Sequence, residues 1–102
     1  MGTTRQLQDE LKTLLGSENV YFQPPSNLYM KYPCFVFSRG SGSQSFADNK
    51  TYRFTKRYTV THIGYDPDDE IIDRMVEHFK MCKYDRSFTE DTLQHDVFSL
   101  YW

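Results

Sequence analysis

This 102-residue chain has little cysteine, little glycine and no long apolar run, and each shortage removes a class of protein. Its two cysteines, Cys34 and Cys82, can pair only once and stand in neither a paired nor a metal-ligand spacing, so reduced and partly buried thiols are expected. No stretch approaches the roughly 18 apolar residues of a membrane span. The N-terminus lacks the apolar core of a secretory signal. Met1-Gly2 meets only the start of a myristoylation motif, because Gln6 stands where Ser or Thr is needed. Of the five glycines, Gly40 and Gly42 follow a strand pattern, but no helix comes after them to receive a phosphate. The expectation is a soluble protein of a reducing cytoplasm, with no cofactor, no metal and no membrane partner.

Aromatic residues, in contrast, are abundant. Eight Tyr, eight Phe and one Trp make up 17% of the chain, more large rings than one small core needs. Tyr and Trp join apolar area to a polar tip, so the surplus points either to a protein–protein interface or to half-exposed rings on a Tyr-rich sheet. The net charge of −2 and the 25% of charged residues are ordinary for a globular protein. The length gives room for a single domain, residues 1–102.

Periodicity predicts a helix over Thr3 to Leu15, with Leu7, Leu11, Leu14 and Leu15 forming one apolar stripe. Thr3 or Thr4 caps its start, Gln6 answers Thr3 as in a capping box, and Gly16 supplies the left-handed stop. Asn19 to Gln23 is a short extended piece closed by Pro24-Pro25. Glu18 to Gln23 resembles a protease recognition site used in expression tags, but Pro24 breaks that pattern and the segment reads as native structure. Lys31 to Ser38 is a strand whose start or edge is marked by Pro33. Arg39 to Lys50 is polar, with Phe46 and Ala47 its only apolar residues, and reads as a long exposed loop. Thr51 to Tyr65 is a long β segment in which Tyr58, Val60, His62 and Gly64 oppose Arg57, Thr59, Thr61 and Ile63.

A second helix is predicted from Asp66 as N-cap and Pro67 as first residue, with Asp68, Asp69 and Glu70 complementing the dipole. Ile71, Ile72, Met75, Val76 and Phe79 form its buried stripe, and it ends near Lys80. Two strands, about Lys80 to Phe88 and His95 to Trp102, close the chain around a polar turn at Glu90 and Asp91. The resulting order is α-β-β-β-α-β-β. It implies an α+β fold, a mainly antiparallel sheet of four to five strands with two helices packed on one face.

Chemistry-bearing residues are sparse. Cys34 with His62 or His95 and Asp96 can be drawn as a triad, but no local signature supports it and no helix start depresses either thiol. His78 and Cys82 are four apart, a spacing that can hold a metal, but zinc requires three or four ligands and no second pair exists. Asp66, Asp68 and Asp69 lack the Gly and the later Glu of a calcium loop. The sequence therefore predicts no catalytic, cofactor or metal site. Charge is segregated, however: Lys50, Arg53, Lys56 and Arg57 precede Asp66, Asp68, Asp69, Glu70 and Asp73. Placed on different sides of a domain, such patches match between neighbouring copies in a head-to-tail contact. A basic nucleic-acid footprint is the competing reading, and a solvated strand face is the plainest one.

Several blocks together carry a family resemblance. They are Asn19-Val-Tyr-Phe-Gln-Pro-Pro25, Met30-Lys-Tyr-Pro-Cys34, Ala47-Asp-Asn49, Arg57-Tyr-Thr-Val60, Asp66-Pro-Asp68 and Leu93-Gln-His-Asp-Val-Phe98. In order, and over nearly the whole chain, they resemble small head–tail joining or tail-completion proteins of tailed bacteriophages and prophages. The resemblance implies a non-enzymatic subunit similar in layout to the lambda-type tail terminator. It also implies a ring, hexameric when assembled, that contacts neighbouring neck or tail proteins, first in the host cytoplasm and then in the virion. Sequence-specific nucleic-acid binding is not expected. Candidate interface residues are Phe46, Lys50, Arg53, Lys56 and Arg57 on one side and Asp66, Asp68, Asp69 and Asp73 on the other. A small adaptor or inhibitor that binds a host protein through its aromatic sheet is the alternative.

Overall fold

The computed structural model describes residues 3–40, 43–47, 50–55 and 57–102; over 43–55 the description is of the backbone. Helix α1 spans Thr4–Leu15 and is built as its local signals dictate. The Thr3 hydroxyl accepts from the Gln6 amide at 3.2 Å, while the Gln6 side chain accepts from the Thr3 amide at 3.0 Å. Both bonds of a capping box are thus present, worth about 1 kcal/mol against an uncapped start. At the other end Gly16 takes φ +78° and donates to the Lys12 carbonyl. Only a residue without a Cβ adopts that conformation freely.

Strands β1 (Val20–Phe22), β2 (Cys34–Arg39), β5 (Arg57–Gly64), β6 (Cys82–Glu90) and β7 (Leu93–Tyr101) form one sheet in the order β1-β2-β5-β7-β6. The β2–β5, β5–β7 and β7–β6 pairs are antiparallel, and β1 runs parallel to β2. The sheet is therefore mixed, α+β and mainly antiparallel. A parallel neighbour needs a connection that carries the chain back along the sheet. Residues 23–33 provide it, beginning where the Gln23 amide donates to the Phe37 carbonyl.

Between β2 and β5 lies a second, two-stranded sheet, β3 (Ser43–Ala47) with β4 (Lys50–Thr55). Taken without this ribbon, the elements follow the predicted order α-β-β-β-α-β-β. Two expectations change here. The stretch read as a loop from Arg39 to Lys50 contains a strand. The stretch read as one β segment from Thr51 to Tyr65 divides into β4, in the ribbon, and β5, in the main sheet. The first has a direct physical cause. A two-stranded ribbon separate from the main sheet needs no alternating apolar side, so polar β3 carries a loop's composition.

Helix α2 spans Ile71–His78 and begins later than the acidic cluster suggests. The Asp66 carboxylate accepts from the Asp68 amide at 2.9 Å and Asp69 from the Ile71 amide at 3.0 Å. These carboxylates close a turn ahead of the helix instead of filling its first turn, because an Asx turn satisfies the same amides that an N-cap would. Asp66 is thus not the N-cap and Pro67 not the first helical residue. Ile71, Met75 and Phe79 are buried as expected, but Val76 is 47% exposed and lies off the stripe.

Both helices pack on one face of the sheet. Leu7 and Leu11 of α1 and Ile71 and Met75 of α2 join Phe35, Phe37, Tyr58, Val60, Phe98 and Leu100 in the main core. The sheet residues in that core obey the register: Val60 faces Phe37 on one side and Phe98 on the other. Tyr58 adds a polar tie, its hydroxyl 2.7 Å from the Thr4 hydroxyl, and the Trp102 indole donates to the Thr3 carbonyl at 2.9 Å. The opposite face carries a smaller cluster of Cys34, Ile63 and Leu93, edged by Tyr21, Tyr32 and Val36. The hairpin β6–β7 turns through Asp91 and Thr92, both at positive φ (53° and 64°), the geometry of a two-residue type I′ connection.

Candidate assembly surfaces

Strand β5 runs for eight residues, roughly 23 Å, from one end of the sheet to the other. Its position separates the charges. At its start lie Arg57 and, across the register, Arg39 and Tyr101; Gly40 continues the ladder by donating to the Arg57 carbonyl at 2.7 Å. The ribbon that brings Lys50 and Arg53 on β4 joins the sheet at this same end. Lys80 and Lys83 also belong here, since Cys82 pairs with Leu100 and Lys83 with Ser99. At the far end, β5 leads through Tyr65 into Asp66, Asp68 and Asp69, and Gly64 pairs with Gln94 beside the Glu90–Leu93 turn.

Of the predicted clusters, Arg57 and the ribbon carrying β4 are therefore at one end of the main sheet and Asp66, Asp68 and Asp69 at the other. Arg39 and Arg57 are exposed, as are Asp66, Asp68 and Asp73, and Asp69 is half-buried. Among the described residues none of these six is in an ion pair; the pairs present are Lys12–Glu18 at 2.8 Å, Arg74–Glu70 at 3.7 Å and His78–Glu10 at 2.9 Å. Asp73 departs from its group slightly, lying on α2 itself in the first turn. Lys56 lies outside the described residues, as do the side chains of Phe46, Lys50 and Arg53.

The drawn triad is not brought together. Cys34 pairs in register with Ile63, and His62 with Phe35 and Asp96, which puts Cys34 on one face of the sheet and His62 with Asp96 on the other. Burial pushes the Cys34 thiol up to about 11, so it stays a thiol at neutral pH. His95, on the Cys34 face, is stacked on Phe88 and bonded through Nδ1 to the Leu93 carbonyl. Burial, followed by the nearby Asp85, raises the Cys82 thiol to about 11 as well. His78 is engaged by Glu10 across the two helices, and among the described residues no three His, Cys, Asp or Glu side chains cluster as metal ligands do. Among them, too, no helix is long and apolar enough to cross a membrane.

A feature that the sequence reading passes over lies at the acidic end. Leu28, Tyr29, Tyr32 and Tyr65 line an open cleft of about 700 Å³, whose other wall is the Asp91–Leu93 turn. Tyr29 is 86% exposed and Tyr65 68% exposed, and the rings of Tyr32 and Tyr65 meet edge to face at 6.5 Å. Burial, followed by the neighbouring Cys34, Tyr65, Asp91 and Tyr21, raises the Tyr32 phenol, so it remains a neutral donor. These tyrosines come from segments without strand or helix period. The only signal for them in the sequence is the surplus of aromatic residues. No protein-family model and no curated protein matches this chain.

Proposed function

We propose that this chain is a ring-forming structural subunit at the head–tail joint or tail end of a tailed bacteriophage, assembling with copies of itself and with adjoining neck or tail proteins. It acts through packing, in the host cytoplasm during assembly and then in the virion. The observation that carries this assignment is the placing of Arg39 and Arg57 at one end of the main sheet and of Asp66, Asp68 and Asp69 at the other, none of them in an ion pair among the described residues. Such a subunit meets its next copy head to tail, a heterologous contact that closes into a ring when the rotation permits. The blocks of sequence that resemble tail-completion proteins supply the virion context.

Electron microscopy of particles made without the gene tests the assignment. Tails that fail to join, or that lack a defined length, are the expected result; normal, full-length, joined tails would contradict it. Replacing Arg53 and Arg57 together with Glu is expected to block incorporation into particles while the monomer stays folded, as read by its unfolding midpoint.

A further inference from the structure

We infer that the tyrosine cleft at the acidic end is the socket that receives the basic end of a second copy of this chain. The inference rests on the ring assignment above and names the surface through which the ring would be built.

The cleft has the properties of a protein-binding surface. Its rings project into solvent instead of enclosing a cavity, whereas small-ligand pockets surround most of their ligand. A Tyr that is more than two-thirds exposed leaves much apolar area in water, and here Tyr29 and Tyr65 stand on the rim of one cleft with half-exposed Leu28 beside them. Tyrosine is among the residues that carry binding energy when covered, because its area is large and few torsions must be frozen.

The chemistry of the rim selects the occupant. Asp91 lines the cleft, Asp66 follows Tyr65 directly, and Glu90 begins the adjoining turn. Lys31 is the one cation among the lining residues. Aromatic faces beside carboxylates suit a guanidinium, which stacks on the ring and donates to the carboxylate together. The chain carries that complement itself. Arg39 and Arg57 are exposed, lie on neighbouring strands, and sit at the opposite end of the same sheet from the cleft. Socket and plug therefore cannot meet within one chain. Because they are different surfaces, the contact does not satisfy itself in a pair, and each added copy presents a new free end.

Two double variants measured by sedimentation velocity over a concentration series test this. Tyr29→Ala with Tyr65→Ala removes the socket at exposed positions, and Arg39→Glu with Arg57→Glu removes the plug. Thermal unfolding checks that each variant remains folded. The wild-type chain is expected to form species larger than a dimer as concentration rises, and each variant alone to associate about tenfold more weakly or less. In an equimolar mixture the two variants should form a dimer of wild-type strength and nothing larger, because only one socket and one plug remain intact.

A Tyr29/Tyr65 variant that assembles like the wild type, while the Arg39/Arg57 variant does not, overturns the socket and leaves the ring assignment standing. A mixture that yields no dimer overturns the head-to-tail pairing. A wild-type chain that stays monomeric at every concentration overturns both.

Discussion

The two faces of the sheet differ in what they ask of their residues. On the helix-covered face, twelve buried residues form one cluster that unites both helices with four strands and includes four of the largest fully buried side chains, Tyr58, Phe35, Phe37 and Phe98. On the opposite face the buried cluster is only Cys34, Ile63 and Leu93, with Val97 and Ser99 buried beside it on the same face, and among the described residues no helix packs there. Hydrophobic stabilisation scales with apolar area removed from water, so most of the domain's stability belongs to the first face. The second face and the ends of the sheet are left available for contacts. A domain whose cohesion sits on one side can change its exposed side without unfolding.

Matched truncations on one strand test the contrast most strongly. Leu100 is fully buried under the helices and Leu93 is the most exposed member of the smaller cluster. Leu100→Ala should cost about 4 kcal/mol and Leu93→Ala about 2 kcal/mol, within the usual range of about 2–5 kcal/mol for such deletions. Urea unfolding gives both values; equal costs, or a larger one at Leu93, would break the comparison.

A smaller effect comes from the polar part of the helix-covered face. His62 is 2% exposed; burial lowers its pKa below the usual 6.5, and the carboxylates of Asp69 and Asp96 oppose that shift only in part. Asp96 also accepts from the Tyr84 hydroxyl at 3.1 Å. With its folded-state pKa depressed, His62 binds protons more readily in the unfolded chain. Its contribution to stability is complete above pH 6.5 and is lost as pH falls through the lowered folded-state value. Unfolding midpoints taken from pH 7.5 downward should fall for the wild type and fall less for His62→Gln. Parallel curves would show that His62 is not the titrating group.

How much of this was legible in the sequence varies with how local each signal is. Helix α1 was readable to its caps because Thr3, Gln6 and Gly16 act within a few residues of themselves. The alternation along β5 was readable because Tyr58 and Val60 face a core and Thr59 and Thr61 do not. Pairing was less readable. Nothing in Val20-Tyr21-Phe22 states that its neighbour Phe35-Val36-Phe37 runs in the same direction. Strand β3 was hidden because its polar sequence leaves no apolar period, and the start of α2 was misplaced because Asp66 and Asp69 serve a turn with the chemistry of a cap. For the candidate site, the charged clusters were visible as composition, and only the antiparallel path of β5 put them at opposite ends. The cleft could not be read at all, since Tyr29, Tyr32 and Tyr65 meet through the connection before β2 and the exit from β5.

The central claim is that oppositely charged ends of this domain draw copies together, and the salt dependence of wild-type self-association tests it most directly. Screening shortens the reach of exposed charges from about 10 Å at 0.1 M salt to about 3 Å at 1 M. The association constant from sedimentation equilibrium should therefore fall steadily across that range. A constant that stays level or rises with salt would contradict the claim and assign the contact to apolar burial alone.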